Sequence, residues 1–417
     1  MNTCEKLFDF INASPSPYHA VATVKDMLLS AGYTELFENR RWELAKGGKY
    51  FVTRNSSSII AFRYSDGGFM ITASHSDSPS FKAKSLTESG AYARLNTERY
   101  GGMILYSWLD RPLSLAGRAI VRTEDGVREA LVDLDSDLFT IPSLAIHQNR
   151  EVNNGFKFNP ATDLLPISSH GVALNALIAD KLGVSEDAII SHDLYLYVRE
   201  RGRMIGEEYI LSPRLDDLEC VYASTLAFIS AEDSDSTPVL AVFDNEEVGS
   251  STKQGAASDF LIATLERISG NSESYRTRIA DSFMVSADNA HAIHPAHPEL
   301  SDREAPVMNG GVVIKHSASQ TYATDSYSEA VFREIAGRAG VKVQSFYNRA
   351  DLRGGSTLGS IADTVASMAT VDIGLAQLAM HSAVETAGAS DVDALVGALT
   401  AFYSTSLKRS DDKTFIK

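Results

Sequence analysis

Between residues 217 and 404 the chain alternates short apolar runs with amphipathic segments of helical period, and no other feature narrows its fold as much. The pattern predicts helix 217–230, strand 239–243, helix 258–268, strand 283–287, helix 326–338, strand 342–346, strand 370–374 and a closing helix 391–404. Strands separated by helices are too far apart in sequence to pair as hairpins. They lie side by side and mostly parallel, and helices cover both faces of the sheet. The expected fold class is α/β, a three-layer sandwich around a mostly parallel central sheet. Ser390-Asp391-Val392-Asp393, just before Leu395, Val396 and Leu399, reads as a capping-box start for the last helix.

Upstream, Tyr18, Val21, Val24, Met27 and Leu28 share one face of a helix over 17–32, with Pro17 in its first turn and Gly32 at its end. Three strands follow, at 50–53, 59–62 and 69–73, separated by Asn55-Ser56-Ser57-Ser58 and Asp66-Gly67-Gly68. From 86 to 206 the texture becomes short strands and turns with few helical periods. This segment is expected to be an inserted β-rich domain, serving as a dimerisation or lid element. The α/β domain is then discontinuous, 1–85 with 207–417.

Composition excludes several functions. A formal charge of −16 and the lack of a basic patch argue against nucleic acid as a partner. No apolar run approaches the roughly 18 residues of a membrane span, and the start lacks the pattern of a secretory signal, so a cytoplasmic protein with no membrane association is expected. Cys4 and Cys220 have no metal-ligand spacing and are expected as reduced thiols.

Chemistry enters at Val242-Phe243-Asp244-Asn245-Glu246-Glu247-Val248-Gly249-Ser250, where acid ends an apolar strand. Buried carboxylates need a metal, a cation or a proton, so this pair points to a metal ligand, a general base, or both; a solvated turn is the plain alternative. Four further segments combine a strand or turn with His or carboxylate among small residues: Ser74-His75-Ser76-Asp77, Arg214-Leu215-Asp216-Asp217, Ala287-Asp288-Asn289-Ala290-His291 and Ala379-Met380-His381-Ser382. Ligands gather beyond the carboxyl ends of parallel strands, where these segments can converge. Two His and three carboxylates without thiolate suit zinc, manganese or cobalt, and five ligands exceed what one catalytic zinc uses. Two divalent ions sharing a carboxylate fit the count.

These segments, with Ser14-Pro15-Ser16-Pro17-Tyr18-His19-Ala20 and Ile141-Pro142-Ser143-Leu144-Ala145-Ile146-His147, resemble in order the M18 metalloaminopeptidases, whose best-known member is aspartyl aminopeptidase. The resemblance implies that Asp216 bridges two metal ions, most often zinc, with cobalt or manganese as alternatives. His75 and Asp288 would complete one site, Glu247 and His381 the other. Glu246 would be the general base, and Asp77 would hydrogen-bond the His75 imidazole. The implied reaction is hydrolysis of the first peptide bond of unblocked peptides. The implied assembly is a tetrahedral dodecamer built from dimers.

Substrate selection is implied by the same likeness. Lys315 matches a lysine of the substrate pocket and would favour acidic P1 residues, while His147 matches a histidine near subunit contacts. Ser317, Thr321 and Asp217 depart from the aspartyl aminopeptidase pattern, which expects asparagine, arginine and asparagine there. Arg353 is a second candidate cation, and Gly354 and Gly355 either allow close approach to substrate or form a turn. Competing readings are a broad-specificity or neutral-residue aminopeptidase, another two-metal hydrolase such as a deacylase, and a catalytically silent oligomeric scaffold.

Overall fold

The computed structural model describes residues 2–89, 91–168, 173–352 and 354–417. The chain divides into two compact units, one formed by Met1–Asp77, Gly202–Met380 and Glu385–Lys417 and the other by Ser78–Arg201 with His381–Val384.

The first unit is built on a nine-stranded sheet in the order Thr34–Leu36, Lys49–Arg54, Ser58–Arg63, Thr237–Phe243, Phe69–His75, Phe283–Ala287, Ala369–Gly374, Val312–His316 and Val343–Tyr347. It is mixed rather than uniformly parallel. Five of its pairings are parallel and three are antiparallel. The central run Thr237–Phe243, Phe69–His75, Phe283–Ala287 and Ala369–Gly374 is parallel throughout. All four strands therefore end at the same edge, which is what the site requires.

Alternation along the strands feeds two separate apolar clusters. Phe51, Ile59, Ala61, Leu240, Val242 and Val285 pack with residues of the helices Pro17–Ser30, Leu215–Ser230, Ser326–Arg338 and Ala389–Tyr403. Val52, Ile60, Phe62, Val239, Ala241 and Phe243 pack instead with Phe260, Leu261 and Leu265 of one helix and Leu358 and Ala362 of another. Burial of both faces explains why the central strands read as continuous apolar runs.

The closing helix, Ala389–Tyr403, starts differently from the capping-box expectation. Its N-cap is Gly388, with no side-chain cap. Asp391 is buried and its carboxylate accepts the N–H groups of Asn309 at 2.6 Å and Gly311 at 2.8 Å. The tertiary partners outcompete the local cap. The sequence pattern also passed over the strand Val312–His316 and the helix Ser272–Ala280.

In the second unit, strands Ile189–Val198, Ser80–Ser89, Tyr92–Tyr100, Ile167–Ser168, Phe139–Thr140 and Leu113–Thr123 follow one another, and Leu113–Thr123 pairs back onto Ile189–Val198. Six strands thus close into a barrel, with Gly126–Asp133 added on Leu113–Thr123. The first barrel strand begins at Ser80, because the chain passes from the sheet strand Phe69–His75 into it through a short connection.

Candidate metal centre

Parallel register brings the chemistry-bearing segments together. Phe243 stands opposite His75, and Ser286 stands opposite Ala73, so the residues that follow each strand emerge side by side. Asp288 leaves the strand Phe283–Ala287 directly. Gly374 on the next strand permits this path, because a Cβ there would collide with the Asp288 carbonyl.

Asp216 arrives from the other direction, at the start of the helix Leu215–Ser230. Backbone angles at Asp216 (φ −80°, ψ 107°) and Asp217 (φ −117°, ψ 17°) are not helical, and Arg214 before them is left-handed. Consecutive residues of a regular helix point about 100° apart. The irregular start instead lets ligand atoms of Asp216 and Asp217 enter one cluster with His75 and Asp288, all within 4.8 Å of one another and all four residues buried. His75 Nε2 lies 3.4 Å from Asp216 Oδ1 and 3.9 Å from Asp288 Oδ1. A second grouping within the same span joins His75 to Glu246 and Glu247.

The supporting bonds are largely to the main chain. Asp217 Oδ2 accepts the His75 N–H at 3.0 Å, and Glu385 Oε2 accepts the Asp216 N–H at 3.0 Å. Asp77 was expected to hold the His75 imidazole. Its carbonyl does so, 3.0 Å from Nδ1, whereas its carboxylate lies 3.4 Å away and accepts the N–H groups of Glu246 at 3.1 Å and Glu247 at 3.2 Å. With Nδ1 at that carbonyl, Nε2 is the ring nitrogen that faces the carboxylates.

The electrostatics are those of a cation site. Burial pushes both Asp217 and Asp288 upward; His75 opposes this at Asp217 and Lys315 at Asp288, while Asp216 adds to both and Asp288 adds to Asp217. For His75 burial acts downward, but Asp216, Asp217 and Asp77 outweigh it and raise the imidazole well above its ordinary value. Burial raises Glu246 to about 8; His75 opposes the shift, while Asp288 and Glu247 add to it.

The comparisons with known proteins decide the family. The model of the aminopeptidase I zinc metalloproteases (M18) matches residues 10–403. The chain belongs to the M18 family. It is 46% identical to a probable M18 family aminopeptidase 2 of Clostridium acetobutylicum over 413 residues, 93% of this chain and 95% of the relative. A protein of the same name in Ectopseudomonas mendocina is 41% identical, covering 96% and 97%. Among solved structures, a chain of the Ape4–Nbr1 complex superposes with a TM-score of 0.93 at 35% identity, over 96% of this chain and 85% of that one. The mApe1 dodecamer of Saccharomyces cerevisiae gives 0.83 at 28%, over 96% of each chain. The protein is therefore an M18 aminopeptidase, a hydrolase of the zinc metalloprotease class.

The donor set fits the family's zinc. One imidazole and several carboxylates without thiolate suit zinc and the harder divalent ions. Lys315 supplies a single ammonium, 3.6 Å from Asp288 Oδ2, for a cluster that holds three acids. A divalent ion is the group that would balance the remainder.

The other expected site residues come from several elements. His381 lies in the short segment that groups with the β-rich unit, where its Nδ1 is 2.9 Å from the Gly102 carbonyl oxygen. Lys315, on the strand Val312–His316, is buried, and its ammonium donates to the carbonyls of Asp288 at 2.8 Å and Asn289 at 3.2 Å. Burial opposes its charge, but Asp288 outweighs this and keeps the lysine protonated. His147 is in an exposed turn of the β-rich unit, not a buried loop. Gly355 is exposed with open space around it, and Gly354 approaches the Asn348 side chain too closely for a Cβ. Both line a cavity of about 760 Å³ together with His316, Ser317, Thr321 and Arg349. Arg353 lies outside the described residues.

Sequence reasoning missed Glu385, Asn289 and Gln377. Asn289 Nδ2 donates to Glu219 Oε2 at 3.3 Å and to Gln377 Oε1 at 3.2 Å, forming a buried polar layer beneath the carboxylates. Glu385 stands four residues after His381, and its proximity to a candidate ligand was the available signal.

Proposed function

We propose that this M18 enzyme is a dinuclear aminopeptidase that removes the first residue of unblocked peptides and prefers acidic P1 side chains. The observation that carries this reading is the gathering of His75, Asp216 and Asp288, and of His75 with Glu246 and Glu247, within 4.8 Å. In this reading His75, Asp216 and Asp288 hold one ion, and Asp216, Glu247 and His381 hold the other. Divalent ions bound there supply Lewis acidity to the scissile carbonyl and acidify water. Glu246 removes the proton of the attacking water and returns it to the leaving amine. Asp77 fixes Glu246 and Glu247 through their N–H groups. The two apolar clusters support a three-layer α/β arrangement around the sheet.

Acidic selectivity is drawn from Lys315. An ammonium has three donors, two of which reach the carbonyls of Asp288 and Asn289. The third faces the Asp288 carboxylate, 3.6 Å away, and a substrate carboxylate would compete for it. The assembly implied by the family resemblance is a dodecamer built from dimers, and the mApe1 neighbour is a dodecamer, so we extend that state to this chain, with the β-rich unit and His147 serving contacts between copies.

The test is a panel of aminoacyl substrates with Asp, Glu, Leu, Met and Lys at P1, free and N-acetylated, assayed with zinc, cobalt and manganese. Cleavage of free Asp and Glu substrates above the others supports the proposal. Turnover of acetylated peptides would overturn the aminopeptidase restriction, and a preference for Leu or Met would replace the acidic one. Sedimentation analysis tests the dodecamer.

A further inference from the structure

Asp217 belongs to the buried cluster but has no place in the expected ligand set. Its Oδ2 is engaged by the His75 main chain, and its Oδ1 accepts no hydrogen bond among the described residues. The side chain is fully buried, and one of its oxygens lies within 4.8 Å of ligand atoms of His75, Asp216 and Asp288. We propose that Asp217 is an auxiliary acidic residue of the first ion position, whose buried carboxylate strengthens divalent-cation binding there. The inference rests on the metal reading above.

The surroundings leave this carboxylate few other roles. Lys315 is turned to Asp288, through its carbonyl and its carboxylate. The Cys220 thiol lies 3.4 Å from Asn289 Oδ1 and also interacts with the Asp217 carboxylate, but it brings no positive charge. A helix cap would explain an aspartate at a helix start, but this side chain reaches back to the His75 N–H on the sheet, 142 residues earlier. A purely structural acceptor at this point needs no charge, and an asparagine oxygen would serve equally. Beyond its attraction for the His75 imidazole, the negative charge gains most when a cation enters the cluster, where a buried carboxylate attracts it far more strongly than in water.

The isosteric Asp217→Asn variant separates charge from shape. Zinc affinity of the full chain is measured by competition with a chelator of known strength, zinc stoichiometry by elemental analysis, and folding by thermal melting of the zinc-free protein. Expected are tenfold or greater weakening of one zinc-binding step and a zinc-free variant that melts at or above the parent temperature. Equal zinc affinity in variant and parent would overturn the inference while leaving the metal reading intact. Failure of the zinc-free variant to fold would overturn it as well, since Asp217 would then be structural. A parent chain that binds no zinc would overturn both.

Discussion

The Asp77 carboxylate grips the main-chain N–H of Glu246 at 3.1 Å, while the Asp77 carbonyl meets the His75 imidazole at 3.0 Å. One residue thus orients the imidazole of the proposed metal centre and the proposed base, although 169 positions separate it from Glu246. Removing the side chain in Asp77→Ala takes away two charge-assisted acceptors, worth about 1.5–3 kcal/mol each. We expect a loss of stability of that order in urea denaturation and a kcat reduced at least tenfold. Asp77→Asn, which keeps an amide oxygen, should fall between. Full kcat in the alanine variant would show that Asp77 does not orient Glu246.

Glu246→Gln keeps the shape of the side chain and removes its proton-accepting charge. Turnover should drop by about 10²–10⁴-fold, the usual contribution of a general base, with zinc content by elemental analysis unchanged. Parent-level turnover would eliminate Glu246 as the base.

Glu219 governs a pH dependence of stability. Burial, with Asp391 and Asp216 adding and the Asn289 bond opposing, raises its carboxyl from 4.5 to about 8. Between those values the folded chain holds a proton that the unfolded chain has released, so the contribution is fully present below about pH 4.5. It is lost as pH rises through 8, at up to about 1.4 kcal/mol per pH unit. Glu219→Gln should flatten the decline between about pH 5 and 8 in urea titrations. An identical slope in parent and variant would assign the decline elsewhere.

Asp372 ties together the walls of the large cavity. It is fully buried and accepts the Thr357 hydroxyl and the Ala323 N–H, each at 2.5 Å, next to the lining residues Ser356 and Thr321. Asp372→Ala strands both donors, at about 1–3 kcal/mol each. A lower melting temperature and a raised KM, with zinc content unchanged, are expected. If the cavity plays no part in substrate binding, KM will not move.

The sequence made the central strands legible because they are buried on both faces and read as unbroken apolar runs, such as Val239 to Phe243. Their helices followed from period, as at Ser326–Arg338, and the structure adds the Asp325 cap there. The site was legible through adjacency, because Glu246, Glu247 and Asp288 follow strand ends directly. What stayed hidden was long-range. Asp391 looked like a local cap, but its oxygens serve Asn309 and Gly311 across the fold. Val312–His316 carries Lys315 and His316, polar residues that blur a strand's apolar signature, yet its register against Val343–Tyr347 is continuous. Asp217 could be recognised as a cluster member only once the irregular start of its helix was seen.

Closure of the six-stranded barrel has a consequence for how copies of this chain can meet. A closed ring of strands offers less free edge to an incoming strand than an open sheet does. Gly126–Asp133, outside that ring, pairs on one side with Leu113–Thr123, and Val127 and Leu131 are exposed along it. That margin is an edge on which a neighbouring copy can add a strand, whereas a neighbour meeting the paired strands of the ring is recognised through side chains and loops.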